Sequence, residues 1–135
     1  MAIDSEWEKF HGGPTLPSTD RFHVTINRGG KILLNDRTFR ELGKPEAVHL
    51  FFNRERDQIA VQPTSARAPT AFPVRKRTGR GFHIYASPFC LHFGIKIDAT
   101  HSFTQPEIAD GRLILKLSET VIVSRVRRRR KQERR

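Results

Sequence analysis

Two short stretches of this chain set cations beside glycines, a combination suited to holding phosphate against the backbone. The first is Asn27-Arg28-Gly29-Gly30-Lys31; the second runs through Arg75-Lys76-Arg77 to Gly79-Arg80-Gly81. Glycine admits the positive φ of a tight turn and leaves room for close approach, while Lys and Arg neutralise phosphate oxygens. Arg28, Lys31, Arg75, Lys76, Arg77 and Arg80 are therefore the candidate nucleic-acid-binding residues in the body of the sequence. A third basic stretch, Arg125-Val126-Arg127-Arg128-Arg129-Arg130-Lys131, continues to Arg134 and Arg135. Its like charges repel and it has almost nothing apolar to bury, so a disordered tail is expected. Arg127, Arg128, Arg129 and Arg130 would then hold nucleic acid without sequence preference. The tip Arg54-Glu55-Arg56-Asp57 neutralises itself and is expected to be inert.

Other chemistries find little to work with. The six histidines (His11, His23, His49, His83, His92 and His101) show no His-x-His or His-x-x-x-His spacing that would back a metal site through His23 and His83. Ser87 lies in no Gly-x-Ser-x-Gly elbow, no phosphate-loop pattern occurs, and no carboxylate pair offers itself for acid and base roles. Cys90 is the one cysteine, so an internal disulfide is excluded; among Phe89, Leu91 and Phe93 it reads as a small buried hydrophobe. The expectation is a protein that is not an enzyme, with no catalytic residues, no metal and no cofactor.

Charge points the same way as the basic turns. Twenty-five Lys/Arg face fourteen Asp/Glu, a formal charge of +11. A field of that sign attracts polyanions from a distance. Residues 125–135 carry net +7 of it and leave +4 for the rest. The body's case therefore rests on where its cations sit. No secretory leader and no membrane-length apolar run is apparent, so a cytoplasmic, nucleoid-associated location is expected.

The elements that must position these residues repeat. Residues 26–43 lie without a gap over residues 77–94, an offset of 51, with Gly30 over Gly81 and Gly43 over Gly94. Each copy runs basic glycine turn, short apolar strand, polar helix start, short helix, glycine stop, which suggests two half-domains sharing one core. In the first copy, 22–26 and 31–34 read as strands, and Asn35 or Asp36 caps a helix over 37–42. Gly43 ends that helix before Pro45, and strands at 47–53 and 58–62 enclose the charged tip. Residues 64–73 read as a Pro- and Ala-containing linker. In the second copy, a strand at 82–86 precedes a helix at 87–93 with Pro88 in its first turn, and Gly94 stops it. Strands at 101–104 and 112–117 close that copy through a loop, and 120–126 is a further β-branched run suited to an edge strand. Residues 1–20, with Gly12, Gly13, Pro14 and Pro17, read as a flexible arm. The organisation is thus an arm (1–20), a two-repeat domain (21–124, as 21–63, a linker and 74–124) and a tail (125–135).

The first copy, with Val24-Thr25-Ile26, Gly30-Lys31-Ile32-Leu33-Leu34, Arg37, Arg40-Glu41-Leu42-Gly43, Val48-His49-Leu50 and Gln58-Ile59-Ala60-Val61, resembles the AbrB and MraZ superfamily of swapped-hairpin DNA-binding proteins. The second matches in outline, and two units in one chain are closer to the MraZ arrangement. Asn35 stands where that family has Pro, Lys44-Pro45-Glu46-Ala47 replaces its glycine and acidic turn, and the second unit lacks the Arg before the stop. The resemblance implies an α+β, β-rich fold of two strand-helix-hairpin halves in a small swapped-hairpin or cradle-loop-like barrel. It also implies a double-stranded DNA partner met through the basic turns.

The function expected is that of a transcriptional regulator or antitoxin-like protein, able to oligomerise and to take a protein partner. The alternative is a structural or partner-binding module associated with RNA or the ribosome. The core is expected to draw on Phe22, Val24, Ile26, Ile32, Leu34, Phe39, Leu42, Val48, Leu50, Ile59, Val61, Ile84, Phe89, Phe93, Ile114 and Leu117.

Overall fold

Strands form where apolar residues alternate, and helices form where a cap follows them. The computed structural model describes residues 21–123, so the N-terminal arm, Arg127–Arg130 and the rest of the tail lie outside the described residues. In chain order the elements are β1 (Val24–Ile26), β2 (Lys31–Leu34), α1 (Asp36–Glu41), β3 (Ala47–Asn53), β4 (Gln58–Thr64), β5 (Phe72–Pro73) and β6 (Arg75–Lys76). They continue as β7 (Phe82–Tyr85), α2 (Ser87–Phe93), β8 (His101–Phe103), β9 (Glu107–Ala109), β10 (Arg112–Lys116) and β11 (Thr120–Ile122). The strands make two antiparallel sheets, one ordered β11-β8-β1-β2-β7-β6 and the other β5-β3-β4-β10-β9. The protein is α+β and strand-rich. Among the described residues, no helix is long and apolar enough to cross a membrane.

One hydrophobic cluster lies on the inner faces of both sheets. Val24, Ile26, Ile32, Leu34 and Ile84 of the first sheet join Val48, Ile59, Val61, Leu113 and Leu115 of the second, with Leu42, Phe89 and Cys90 from the ends of the helical segments. Each fully buried aliphatic side chain contributes about 1.5–3 kcal/mol. Leu113 and Leu115 pair with Val61 and Ile59, which turns Ile114 outward. The expectation for Ile114 was thus one residue out of phase, and in a strand one residue reverses the face. Phe39 is only partly buried; Thr38 beside it is wholly buried.

Asn35 shows why α1 begins where it does. Its Oδ1 accepts a hydrogen bond from the Thr38 backbone N–H at 3.0 Å and another from His23 at 3.2 Å. Its Nδ2 donates to the Arg21 carbonyl at 2.8 Å, so one amide caps the helix and ties it to the start of β1. At the other end, Lys44 N–H reaches the Phe39 carbonyl at 2.9 Å and Gly43 N–H reaches Arg40 at 3.0 Å. Ile95 to Cys90 (2.9 Å) and Gly94 to Leu91 (3.3 Å) repeat those bonds 51 residues later. The helix-start bond repeats as well, Phe39 to Asn35 and Cys90 to Ala86, each at 3.0 Å.

Past the helices the copies diverge. β3 and β4 form a hairpin, but β8 pairs with β1 and β11 while β10 pairs with β4 and β9. The closing strands expected at 101–104 and 112–117 therefore lie in different sheets. The segment between them is not only a loop, because β9 forms a further edge strand. The expected linker is also partly ordered as strand. β4 runs on to Thr64, and β5 pairs Phe72 with Val48 at the sheet edge. Proline is tolerated there because an edge strand has unpaired N–H positions.

Candidate nucleic-acid interface

The pairing of β2 with β7 joins the two copies. Lys31 faces Tyr85, Ile32 faces Ile84, Leu33 faces His83 and Leu34 faces Phe82. Under the 51-residue offset each pair maps onto another pair, so a local two-fold relation passes through the middle of this ladder. The turn glycines sit at its two ends and are tightly seated. Gly30 has φ +78°, and a Cβ on it would lie 2.9 Å from Ser87 Cα; Gly81 has φ +86°, and its Cβ would lie 2.7 Å from the Leu34 carbonyl oxygen. Each copy's turn thus presses on the strand-to-helix junction of the other. The glycines are separated by five strand steps, about 17 Å at the usual rise.

The outer face of this sheet is a polar and basic surface. One residue from every strand lines up across it in the order Val121, Ser102, Thr25, Leu33, His83, Arg75, with Lys31 and Tyr85 in the next row. No Asp or Glu occurs in any of the six strands. Counted over the described residues, sixteen Lys/Arg face nine Asp/Glu, net +7.

Three of the expected cations converge here. Desolvation lowers the pKa of His83, and the nearby charges of Lys31, Arg77 and Arg75 lower it further. Lys31 Nζ lies 4.9 Å from the centre of the Tyr85 ring, and Tyr85 is 53% exposed. No acidic partner is found for Lys31, Arg75 or Arg77 among the ion pairs of the described residues. A groove of about 340 Å³ runs beside them, with Leu33, Thr25 and His23 among its lining residues and Arg77, Arg80 and Asp36 at one end.

The other candidates are placed differently. Arg28 sits at the opposite end of the ladder, beside Ser87, Cys90 and Leu91 of α2. The basic turns therefore flank the sheet face from its two ends and do not form one cluster. Lys76 pairs with Phe82, on the face opposite Arg75, and its Nζ lies 5.0 Å over that ring. The Phe82 ring also stacks on Phe39 with centroids 3.6 Å apart, so it is occupied within the fold. Tyr85 and His83 were missed as site residues. The alternation Phe82-His83-Ile84-Tyr85 signals them once Ile84 is assigned to the core.

Burial also raises the Cys90 pKa, which keeps the thiol neutral. Among the described residues no group of three or more His, Cys, Asp or Glu is placed to hold a metal ion. Comparison with protein-family models, curated proteins and solved structures found no match.

Proposed function

We propose that this protein binds double-stranded DNA through the outer face of its six-stranded sheet, as a transcriptional regulator or antitoxin-like protein of the AbrB and MraZ type. The observation that carries the reading is the acid-free sheet face on which Lys31, Arg75 and Arg77 surround His83. Charges of one sign kept without partners favour a polyanion. The spacing supports a duplex. The turns lie about 17 Å apart by strand rise, and a major groove is about 12 Å wide, so each turn can meet phosphates on one rim. Lys31, Arg77 and Arg28 would neutralise phosphates, with Arg75 and Tyr85 toward the bases. In this reading the halves form a swapped-hairpin, cradle-loop-like barrel, supported by the β2–β7 ladder and the repeated helix ends. Arg127–Arg130 would add affinity without selectivity.

A second reading is supported by Tyr85. An exposed ring with a lysine beside it can stack an unpaired base, which would suit single-stranded nucleic acid or RNA. Salt titrations of binding to duplex DNA, single-stranded DNA and structured RNA, with the full chain and a chain lacking residues 127–135, separate the two. The DNA reading expects a duplex preference that survives the deletion. Loss of all binding with the tail, or equal binding to all three nucleic acids, would refute it.

A further inference from the structure

On the inner side of the fold, away from the basic face, a cleft of about 390 Å³ opens between the sheets. Phe52 and Leu117 come from the second sheet and its end, Phe93 and Ile97 from α2 and the segment after it, and His101 and Thr120 from the first sheet. Phe52, Phe93, Ile97 and Leu117 pack against the core yet keep part of their surface accessible. Such a volume falls within the range of small-molecule sites, and an apolar lining with a few polar groups is their usual make-up. The walls are pinned from three directions. Leu117 N–H bonds to the Asp57 carbonyl at 2.9 Å, Ile95 N–H bonds to Cys90 at 2.9 Å, and His101 Nδ1 meets Thr120 Oγ1 at 2.9 Å.

The rim fixes the sign of the ligand. Arg54 and Lys96 both line the cleft, and neither has an ion pair among the described residues. The Arg54 guanidinium lies 5.5 Å from the Phe52 ring centre, which holds a cation beside the apolar wall. Asp57 also lines the cleft, leaving one formal positive charge in excess. We infer that this cleft binds a small amphipathic anion, an acyl or aryl body ending in a carboxylate, with the body against Phe52, Phe93 and Leu117 and the carboxylate at Arg54 and Lys96. At about 30 Å³ per water, the cavity holds about thirteen water volumes, which suits a medium-length acyl chain.

The site does not depend on DNA binding and is tested without it. The full-length protein is titrated calorimetrically with decanoate, and with decylammonium as a cation of equal length. Decanoate should saturate one site per chain and decylammonium should not. Arg54→Glu with Lys96→Glu, both exposed positions, should weaken decanoate at least about tenfold. Ile97→Trp, which fills the cleft, should weaken it with the rim charges intact. Unsaturable binding, equal binding of the two amphiphiles, or affinity unchanged in both variants would overturn the assignment.

Discussion

Replacing Lys31, Arg75 and Arg77 together with glutamine tests the basic face at two independent points. The first lies within the protein. These three cations, after desolvation, hold the His83 pKa down, so removing them should raise it while the desolvation remains. A proton-detected titration of the His83 ring reads this directly in the absence of any ligand. The second is DNA affinity. Each neutralised phosphate contributes about −0.9 to the slope of log K against log salt. Three lost contacts should therefore flatten the slope by about 2.7, which at about 0.15 M salt is a loss of about 170-fold. Fluorescence anisotropy over a salt series measures both quantities. The melting temperature should stay level or rise slightly, because Arg75 and Arg77 are exposed and the three residues have no ion pair to lose among the described residues. If His83 moves as expected but duplex affinity and slope do not, the cations converge as described and DNA does not use them. If His83 does not move, the convergence itself is wrong.

Leu42→Ala should cost about 2–5 kcal/mol in denaturant unfolding, since Leu42 is 6% exposed and sits in the core; a loss of a few tenths would place it outside. Gly81→Ala should destabilise by more than the about 1–2 kcal/mol of a left-handed backbone alone, because its Cβ would strike the Leu34 carbonyl. Gly79→Ala meets nothing within 4 Å and should show only the conformational cost; equal losses would mean that Gly81 is not pressed against Leu34. The lowered His83 pKa disfavours the protonated ring in the folded state, so its contribution to stability is fullest above about pH 6.5 and falls as pH drops through the lowered value. Bound phosphate would reverse that bias, so duplex affinity should rise from about pH 7 to pH 5.5, and His83→Gln should abolish the rise.

The local grammar of the chain was legible because it rests on short-range chemistry. Asn35 as a cap, Pro88 in the first turn of α2 and Gly94 at φ +69° each follow from one residue's own stereochemistry. The alternation of 22–26 and 58–62 placed Val24, Ile26, Ile59 and Val61 in the core for the same reason. The failures lie where partners decide. Nothing in Arg112–Lys116 alone tells whether Ile114 or its two leucine neighbours face inward, because the phase is set by Val61 and Ile59 across the ladder. Phe72 and Pro73 read as linker until β3 offers an edge for them. Placing Arg28 with Arg77 failed in the same way. Their turns resemble each other in sequence, but antiparallel pairing of the strands between them sends them to opposite ends.

That antiparallel ladder also bears on how two copies of one pattern can do different work. The two-fold relation through β2 and β7 holds for the turns and the helix ends, where the hydrogen bonds repeat. It does not extend to the closing strands, since β3–β4 remains a hairpin while β8 and β10 part company. Had β8 stayed with β10, β1 would expose an unpaired edge beside Thr25, a liability for a strand of apolar neighbours. By crossing to β1, β8 extends the sheet and puts Ser102 into the outer row. The same crossing carries His101 and Thr120 to the far wall of the inner cleft. One departure from symmetry therefore widens the basic face and shapes the cleft behind it.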